Sequence, residues 1–422
     1  MRRRRGALQR YLKALGPGLI TGAADDDPSG IATYSQAGAA FGFGLLWTAV
    51  VSFPLMVGVQ LMCARIGIVC RCGLASVLRA HYPAWVLWLA ATLLFVGNTV
   101  NIAADLGAMA AGVRLVTGIS GWWVVVAFAV LLLGFLMYGS YHRISGVFKW
   151  LTLTLFAYVG SALLAHPHWL AVLRGTLLPR IIPSKDYLLT FVAILGTTIS
   201  PYLFFWEAAE TVEDELTAHG GKQPSSRRTI DRELRAINID VVTGMGFSNV
   251  IMYFIILTTG ATLHAAGKTN IQTAEQAAAA LRPLAGPAAA LLFALGLIGT
   301  GLLAVPVLAG SAAFAVAEGA EWPRGMGETP RTAGRFYAVM AIALGVGTAI
   351  TFAHIDAIKL LFWSAVVNGL LAPPLIVIVL LVCNNVAIMG RRRNGLLLNI
   401  LGGAAALLMG GAAIALVVSW VT

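Results

Sequence analysis

The sequence predicts an all-α integral membrane protein of about eleven transmembrane helices, with helices 1 and 6 broken in mid-membrane. Three observations lead there. Of the 422 residues, 59% are hydrophobic and only 11% charged, about half the charge of an ordinary soluble domain, and the mean hydropathy is +0.83. Apolar runs of bilayer-spanning length recur along the whole chain. Basic residues punctuate those runs, as topology signals do.

The runs place the spans at 15–40, 44–67, 84–113, 121–140, 147–165, 187–212, 237–262, 284–318, 334–353, 357–383 and 396–420. With the N-terminus in the cytoplasm, the inner segments hold Arg2 to Arg5, Arg10 and Lys13, then Arg65, Arg71 and Arg79, then Arg143 and Lys149. Lys222, Arg227, Arg228, Arg232 and Arg235 follow, then Arg324, Arg331 and Arg335, and last Arg391 to Arg393. That bias sets the orientation: N-terminus cytoplasmic, Thr422 outside, a multi-pass protein of the cell membrane. Met1 to Arg5 run into amphiphilic residues and then a span-length segment, so no cleavable signal peptide is expected. The net charge of +11 has no aromatic-studded basic domain beside it, which argues against a nucleic-acid partner.

Span 1 carries Asp25-Asp26-Asp27-Pro28-Ser29-Gly30 inside an apolar run. Intramembrane carboxylates are expensive and default to functional roles. Pro28 cannot continue the backbone ladder, so the helix should break beside the acids and free carbonyl oxygens. Carboxylate and carbonyls together make a hard-oxygen cation site, with Asp27 at its centre and carbonyls near Ala24 or Thr197 beside it. The bland alternative is a kinked helix whose acids are paired or water-exposed.

Span 6 repeats the device. Gly196-Thr197-Thr198-Ile199-Ser200-Pro201-Tyr202 loses a donor at Pro201 and frees the carbonyls near Thr197 and Thr198. Two breaks five spans apart fit an inverted five-plus-five repeat within one transporter domain, 1–422. Residues 15–165 form the first repeat, 187–383 the second, and 396–420 an additional helix.

These residues resemble a known family. Asp27-Pro28-Ser29-Gly30, followed by Ile31-Ala32-Thr33, is similar to the Asp-Pro-Gly-Asn motif of Nramp divalent-metal transporters, and Gly196 to Tyr202 resembles their sixth-helix Ala-Thr-x-Met-Pro-His motif. Ala104-Asp105-Leu106 on span 3 and Asn249 on span 7 extend the likeness over nearly the whole chain. The resemblance implies a LeuT-like fold with alternating access around a midplane cation.

The departures point to the substrate. The family asparagine falls on Gly30, the methionine on Ser200, the histidine on Tyr202 and the span-3 glutamate on Ala108. Thioether sulfur favours soft metals, whereas carboxylate, carbonyl, hydroxyl and water suit magnesium, calcium or manganese. A missing amide leaves room for a cation that keeps part of its water shell, as magnesium does. The pattern is most similar to the Nramp-related magnesium transporter branch. The expected metal set is Asp27, Ala24, Gly30, Thr197, Ser200 and Tyr202, and the expected pathway Asp26, Asp105, Glu207, Glu210 and Asn249. With Tyr202 and Ala108 at two family proton-path positions, transport without proton coupling is expected.

Glu207, Glu210 and Asp214 share one face of span 6, as a vestibule for a hydrated cation or as an acidic end paired with Arg227, Arg228, Arg232 or Arg235. The stretch from Glu213 to Arg235 reads as a basic cytoplasmic loop. Asn98, Asn101 and Asp105 form a polar stripe on span 3, an ion path or interhelical glue. Gly42, Gly44, Gly296 and Gly299 read as close helix contacts, and Trp47, Trp122, Trp123 and Trp169 as an interfacial belt. Cys63, Cys70, Cys72 and Cys383 fall on the reducing side, without the spacing of a zinc site. His166 and His168 read as solvated residues of an outer loop.

No phosphate loop and no nucleophile–base pair appears, so the sequence reads as a carrier and not an enzyme. It needs no cofactor beyond its transported divalent cation, magnesium or manganese, and its surroundings are the lipid bilayer, with no obligate protein partner. Alternatives are a proton-coupled manganese or iron transporter and, less well supported, a sodium-coupled amino-acid carrier, whose substrate carboxylate Asp27 would repel.

Overall fold

The computed structural model describes residues 17–138, 151–218, 227–353 and 355–421, without the side chains of residues 17–20, 151–152, 218 and 227–228. The basic residues up to Lys13, together with Arg143, Lys149, Lys222 and the start of span 5, lie outside this set. Among the described residues there are helices and no strands. Eight of the described helices are long and apolar enough to cross a bilayer. The shorter apolar helices Trp122–Tyr138 and Leu153–Leu164, with the interrupted span 1, complete the eleven.

Span 1 is two helices, Pro17–Asp25 and Pro28–Phe41, and span 6 is Lys185–Thr198 and Pro201–Ala218. Both restart on a proline, which suits a first helical turn because its missing N–H would be unpaired there anyway. Span 2 is Trp47–Cys70, span 3 Ala84–Thr117, span 7 Arg227–Thr259, span 8 Ala289–Gly319, span 9 Gly334–Thr351, span 10 Ala357–Asn384 and span 11 Leu396–Val421. Side-chain caps start several of them: Ser184 accepts from Tyr187 N before span 6, and Asp356 accepts from Ile358 N and Lys359 N before span 10. We call the end of the bundle where span 1 begins the near end, and the other the far end.

Several expectations are corrected. The supposed loop from Glu213 to Arg235 is mostly helix, since span 6 runs to Ala218 and span 7 already starts at Arg227. Charged residues of good helix propensity carry both helices beyond their apolar stretches. Gly42 and Gly44 lie in the turn between spans 1 and 2; Gly42 ends span 1 with a φ of +57° and makes the expected close approach, since a Cβ there would stand 3.0 Å from His264 at the end of span 7, whereas one on Gly44 would meet only Phe41. Gly296 does make the expected close contact, against Leu155 and Thr154 of span 5. Trp122, Trp123 and Trp169 are exposed at the helix ends, but Trp47 is buried, stacked on Phe191 and donating to Tyr187 Oη. The four cysteines are free, and burial pushes the Cys72 thiol up to about 11, which keeps it protonated and a poor ligand.

Spans 3 and 8 pack along each other, the near half of span 1 lies on span 7, and the far half of span 6 lies on span 10. Glycine makes the closest approach possible. A Cβ on Gly22 would stand 2.2 Å from the Gly244 carbonyl oxygen, and one on Gly196 would stand 2.1 Å from that of Ala365. Gly22→Ala must therefore force spans 1 and 7 apart. A loss of roughly 1–3 kcal/mol is expected, as for other overpacked cores, seen as a lower melting temperature in detergent. An unchanged melting temperature would contradict the contact. At the near end, Glu318 accepts from Ser76 N at 3.0 Å and pairs with Arg324, while Arg79 donates to Gly319 O. These bonds fix the short helix Leu74–His81 between spans 2 and 3.

Candidate cation site

The break in span 1 is organised by its last acid. Asp27 has extended backbone, φ −66° and ψ 168°, and caps the helix that follows. Its Oδ1 accepts from Gly30 N at 2.8 Å and from Ser29 Oγ at 2.6 Å. Its Oδ2 accepts from Asn101 Nδ2 of span 3 at 2.8 Å. The carboxylate is thus aimed by two elements before any ion arrives. Gly30 permits the second break to come close, since a Cβ there would lie 3.1 Å from Thr197 Oγ1 and 3.2 Å from Tyr34 Cε2.

The break in span 6 faces it. Ser29 Oγ lies 3.5 Å from Thr197 Oγ1, and Tyr34 Oη lies 3.2 Å from Thr198 Oγ1. Tyr202, on the restarted helix, donates its hydroxyl to Ala24 O at 2.9 Å and so ties the two interrupted helices together. Its own carbonyl accepts from Ser311 Oγ of span 8 at 2.6 Å. Ser200 Oγ stands 2.8 Å from Thr197 O, the carbonyl whose helical partner Pro201 lacks, and 3.1 Å from Gly196 O. Asp27, Ala24, Thr197, Ser200 and Tyr202 are all buried. The donors placed here are the Asp27 carboxylate with carbonyls and hydroxyls, and among the described residues no three His, Cys, Asp or Glu side chains converge.

The other acids of the triplet turn elsewhere. Ser248 Oγ of span 7 lies 2.7 Å from Asp25 Oδ2 and 3.1 Å from Asp26 Oδ1, leaving Asp25 Oδ1 and Asp26 Oδ2 buried without a partner. Asn249 stands half-buried next to it and accepts from Ser52 Oγ of span 2 at 3.4 Å, away from Asp27. One residue along a helix is about a 100° turn, which is why Ser248 and not Asn249 meets the acids. Asp105, one turn beyond Asn101, is buried with neither carboxyl oxygen bonded, whereas Asn98 donates to Leu308 O and holds spans 3 and 8 together. Glu207 and Glu210 lie nearer the near end, outside this centre; Thr21 Oγ1 donates to Glu207 Oε2 at 2.6 Å.

Ser248 is the participant that sequence reasoning misses, because a lone serine in an apolar span has no pattern around it. Asn101 had a signal, its place in the polar stripe with Asp105, but not its partner.

Residues 18–419 match the Nramp family, described as natural resistance-associated macrophage protein-like. The divalent metal cation transporter MntH of Pectobacterium carotovorum is 29% identical over 297 residues, 69% of this chain and 68% of that protein. Its counterpart in Aeromonas hydrophila is 30% identical over 297 residues, 69% and 70% of the two chains. Among solved structures, the Eremococcus coleocola manganese transporter superposes with a TM-score of 0.75 at 21% identity, over 96% of this chain and 86% of that one. Mhp1, a nucleobase-cation-symport-1 family transporter caught closed, gives 0.57 at 14% identity, over 96% and 93%. The LeuT-like likeness of fold is joined by the family match of sequence over residues 18–419, and the chain is a member of the Nramp family.

Proposed function

We propose that this chain carries divalent cations across the cell membrane by alternating access, with magnesium as its principal substrate, manganese as another, and no accompanying protons. One observation carries the reading: the groups gathered at the two breaks are oxygen donors, with Ser200 where the family places a thioether. Met252 Sδ accepts from Thr198 Oγ1 at 3.6 Å and from none of the proposed ligands. Hard oxygen donors around a single carboxylate suit an ion that keeps several waters, and magnesium sheds its waters reluctantly.

The proposed ligands are the Asp27 carboxylate, the carbonyls of Ala24 and Thr197 and the Ser200 hydroxyl. Gly30 leaves space for ion-bound water, and Tyr202 closes the near side through its bond to Ala24. Asp27, Ala24, Thr197 and Ser200 are all buried, so an ion held there would be shielded by protein. At the far end a cavity of about 480 Å³, whose mixed lining includes Gln36, Asp186 and Lys359 beside Phe41 and Phe362, reaches inward to Ala32. We take the near end, with its arginine bias, as cytoplasmic, and the repeats 15–165 and 187–383 as the bodies that rock about the site.

A second reading, proton-coupled manganese or iron transport, is favoured by one feature, the unpaired buried carboxyl of Asp105. The two readings separate in proteoliposomes holding a pH-sensitive dye. Divalent uptake with no acidification of the lumen is the expected result. A membrane potential of about 100 mV supplies roughly 2.3 kcal/mol per charge, sufficient drive without protons. Acidification that tracks uptake and disappears in Asp105→Asn would establish the second reading instead.

A further inference from the structure

We infer that Glu207 and Glu210 of span 6, with Thr21 of span 1 and Asp240 of span 7, form a second binding site, for a hydrated divalent cation on its way between Asp27 and the near end. The inference rests on the divalent-cation reading above and adds a site to it.

Glu207 and Glu210 are three residues apart and so share a helix face. They are 0% and 1% exposed, although span 6 continues to Ala218. Glu207 Oε2 accepts from Thr21, but Glu207 Oε1 and Glu210 Oε2 have no partner at all. Among the described residues, the charged groups that bear on them are acids: Asp240 and Asp214 on Glu207, and Glu213 and Asp214 on Glu210. Burying carboxylates without a compensating cation costs several kcal/mol per ion.

Among the described residues, the basic groups with a recorded partner near the start of span 7 are engaged elsewhere. Arg235 Nε donates to the Asp231 carbonyl, and Arg392 takes the Asp231 carboxylate at 2.9 Å. Glu213, farther along span 6, accepts from Met326 N at 2.9 Å and so anchors the segment after span 8. On this inference the charge that compensates Glu207 and Glu210 is the substrate's own, which the unpartnered Glu207 Oε1 and Glu210 Oε2 are free to meet. Because no three carboxylates converge at direct ligating distance among the described residues, the ion is held through its water shell, the state magnesium prefers.

The position suits a step in transport. Thr21 is three residues before Ala24, and Glu207 is five after Tyr202, which is roughly 7 Å along the helix axis. An ion leaving Asp27 toward the near end therefore meets Glu207 next, once the Tyr202–Ala24 bond opens. Successive weak sites let an ion leave a strong one, as in channels. Without the ion, Thr21 occupies one Glu207 oxygen in place of the ion's water.

Calorimetric titration of the purified full-length protein with magnesium tests this. Two binding components are expected in the wild type. Asp27→Asn should remove one and keep the other, and Glu207→Gln with Glu210→Gln should remove the second, keep the first, and slow uptake at least tenfold. A single component in the wild type, or an unchanged isotherm in the Glu207→Gln, Glu210→Gln variant, would overturn the second site. Both components surviving Asp27→Asn would instead sink the Asp27 centre and leave the second site standing. Should the double variant misfold, anomalous scattering from manganese in crystals of the unmodified protein decides: a peak beside Glu207 is expected, and a lone peak at Asp27 overturns the inference.

Discussion

Asp27→Asn should reduce divalent-cation binding and uptake by roughly a hundredfold or more while leaving a folded protein. The fold survives because asparagine caps a helix about as well as aspartate, so the bonds from Gly30 N and Ser29 Oγ to the side-chain oxygen persist. The new amide faces Asn101 Nδ2, now donor against donor, and Asn101 can rotate to present its oxygen, which has no partner in the present arrangement. Binding does not survive. Removing one member of a buried charge pair costs about 3–5 kcal/mol, and each 1.4 kcal/mol is a factor of ten. Isotope uptake into proteoliposomes, with a melting curve on the same sample, checks both halves. Retained uptake with a normal melting curve would remove Asp27 from the centre.

Ser200→Met together with Gly30→Asn should move preference by about tenfold toward cadmium and manganese over magnesium, close to 1.4 kcal/mol. A thioether would replace a hydroxyl beside the Thr197 carbonyl, and soft donors favour those ions. The change has a cost that the structure locates. Ser200 Oγ satisfies the carbonyls of Thr197 and Gly196, and the methionine leaves them to a bound ion or water. Any side chain at Gly30 also has to displace Thr197 Oγ1 or the Tyr34 ring by a few tenths of an ångström. Competition among magnesium, manganese and cadmium in one uptake assay reads the outcome. An unaltered order of preference would mean that cavity shape, not ligand softness, selects the ion.

Most of the architecture was legible because membrane solvent imposes simple rules. Apolar length marked the spans, and Pro28 and Pro201 marked the breaks, which fall at Asp26–Asp27 and Ile199–Ser200. What the sequence hid was geometry across helices. Nothing in the run Asp25-Asp26-Asp27 says that the last acid turns toward Asn101 and the first two toward Ser248. Ser200 was expected as a ligand oxygen, yet its hydroxyl is engaged on its own helix and would have to swing to meet an ion. The extension of span 7 back to Arg227 was missed for another reason: apolar runs show where a helix crosses lipid, not where it starts.

Competition against manganese uptake in proteoliposomes of known membrane potential tests the central claim most directly. If the oxygen donors around Asp27 hold a hydrated ion, magnesium in millimolar excess should suppress manganese uptake and should itself accumulate, with no change in lumenal pH. Manganese uptake that ignores magnesium and acidifies the lumen would contradict the claim.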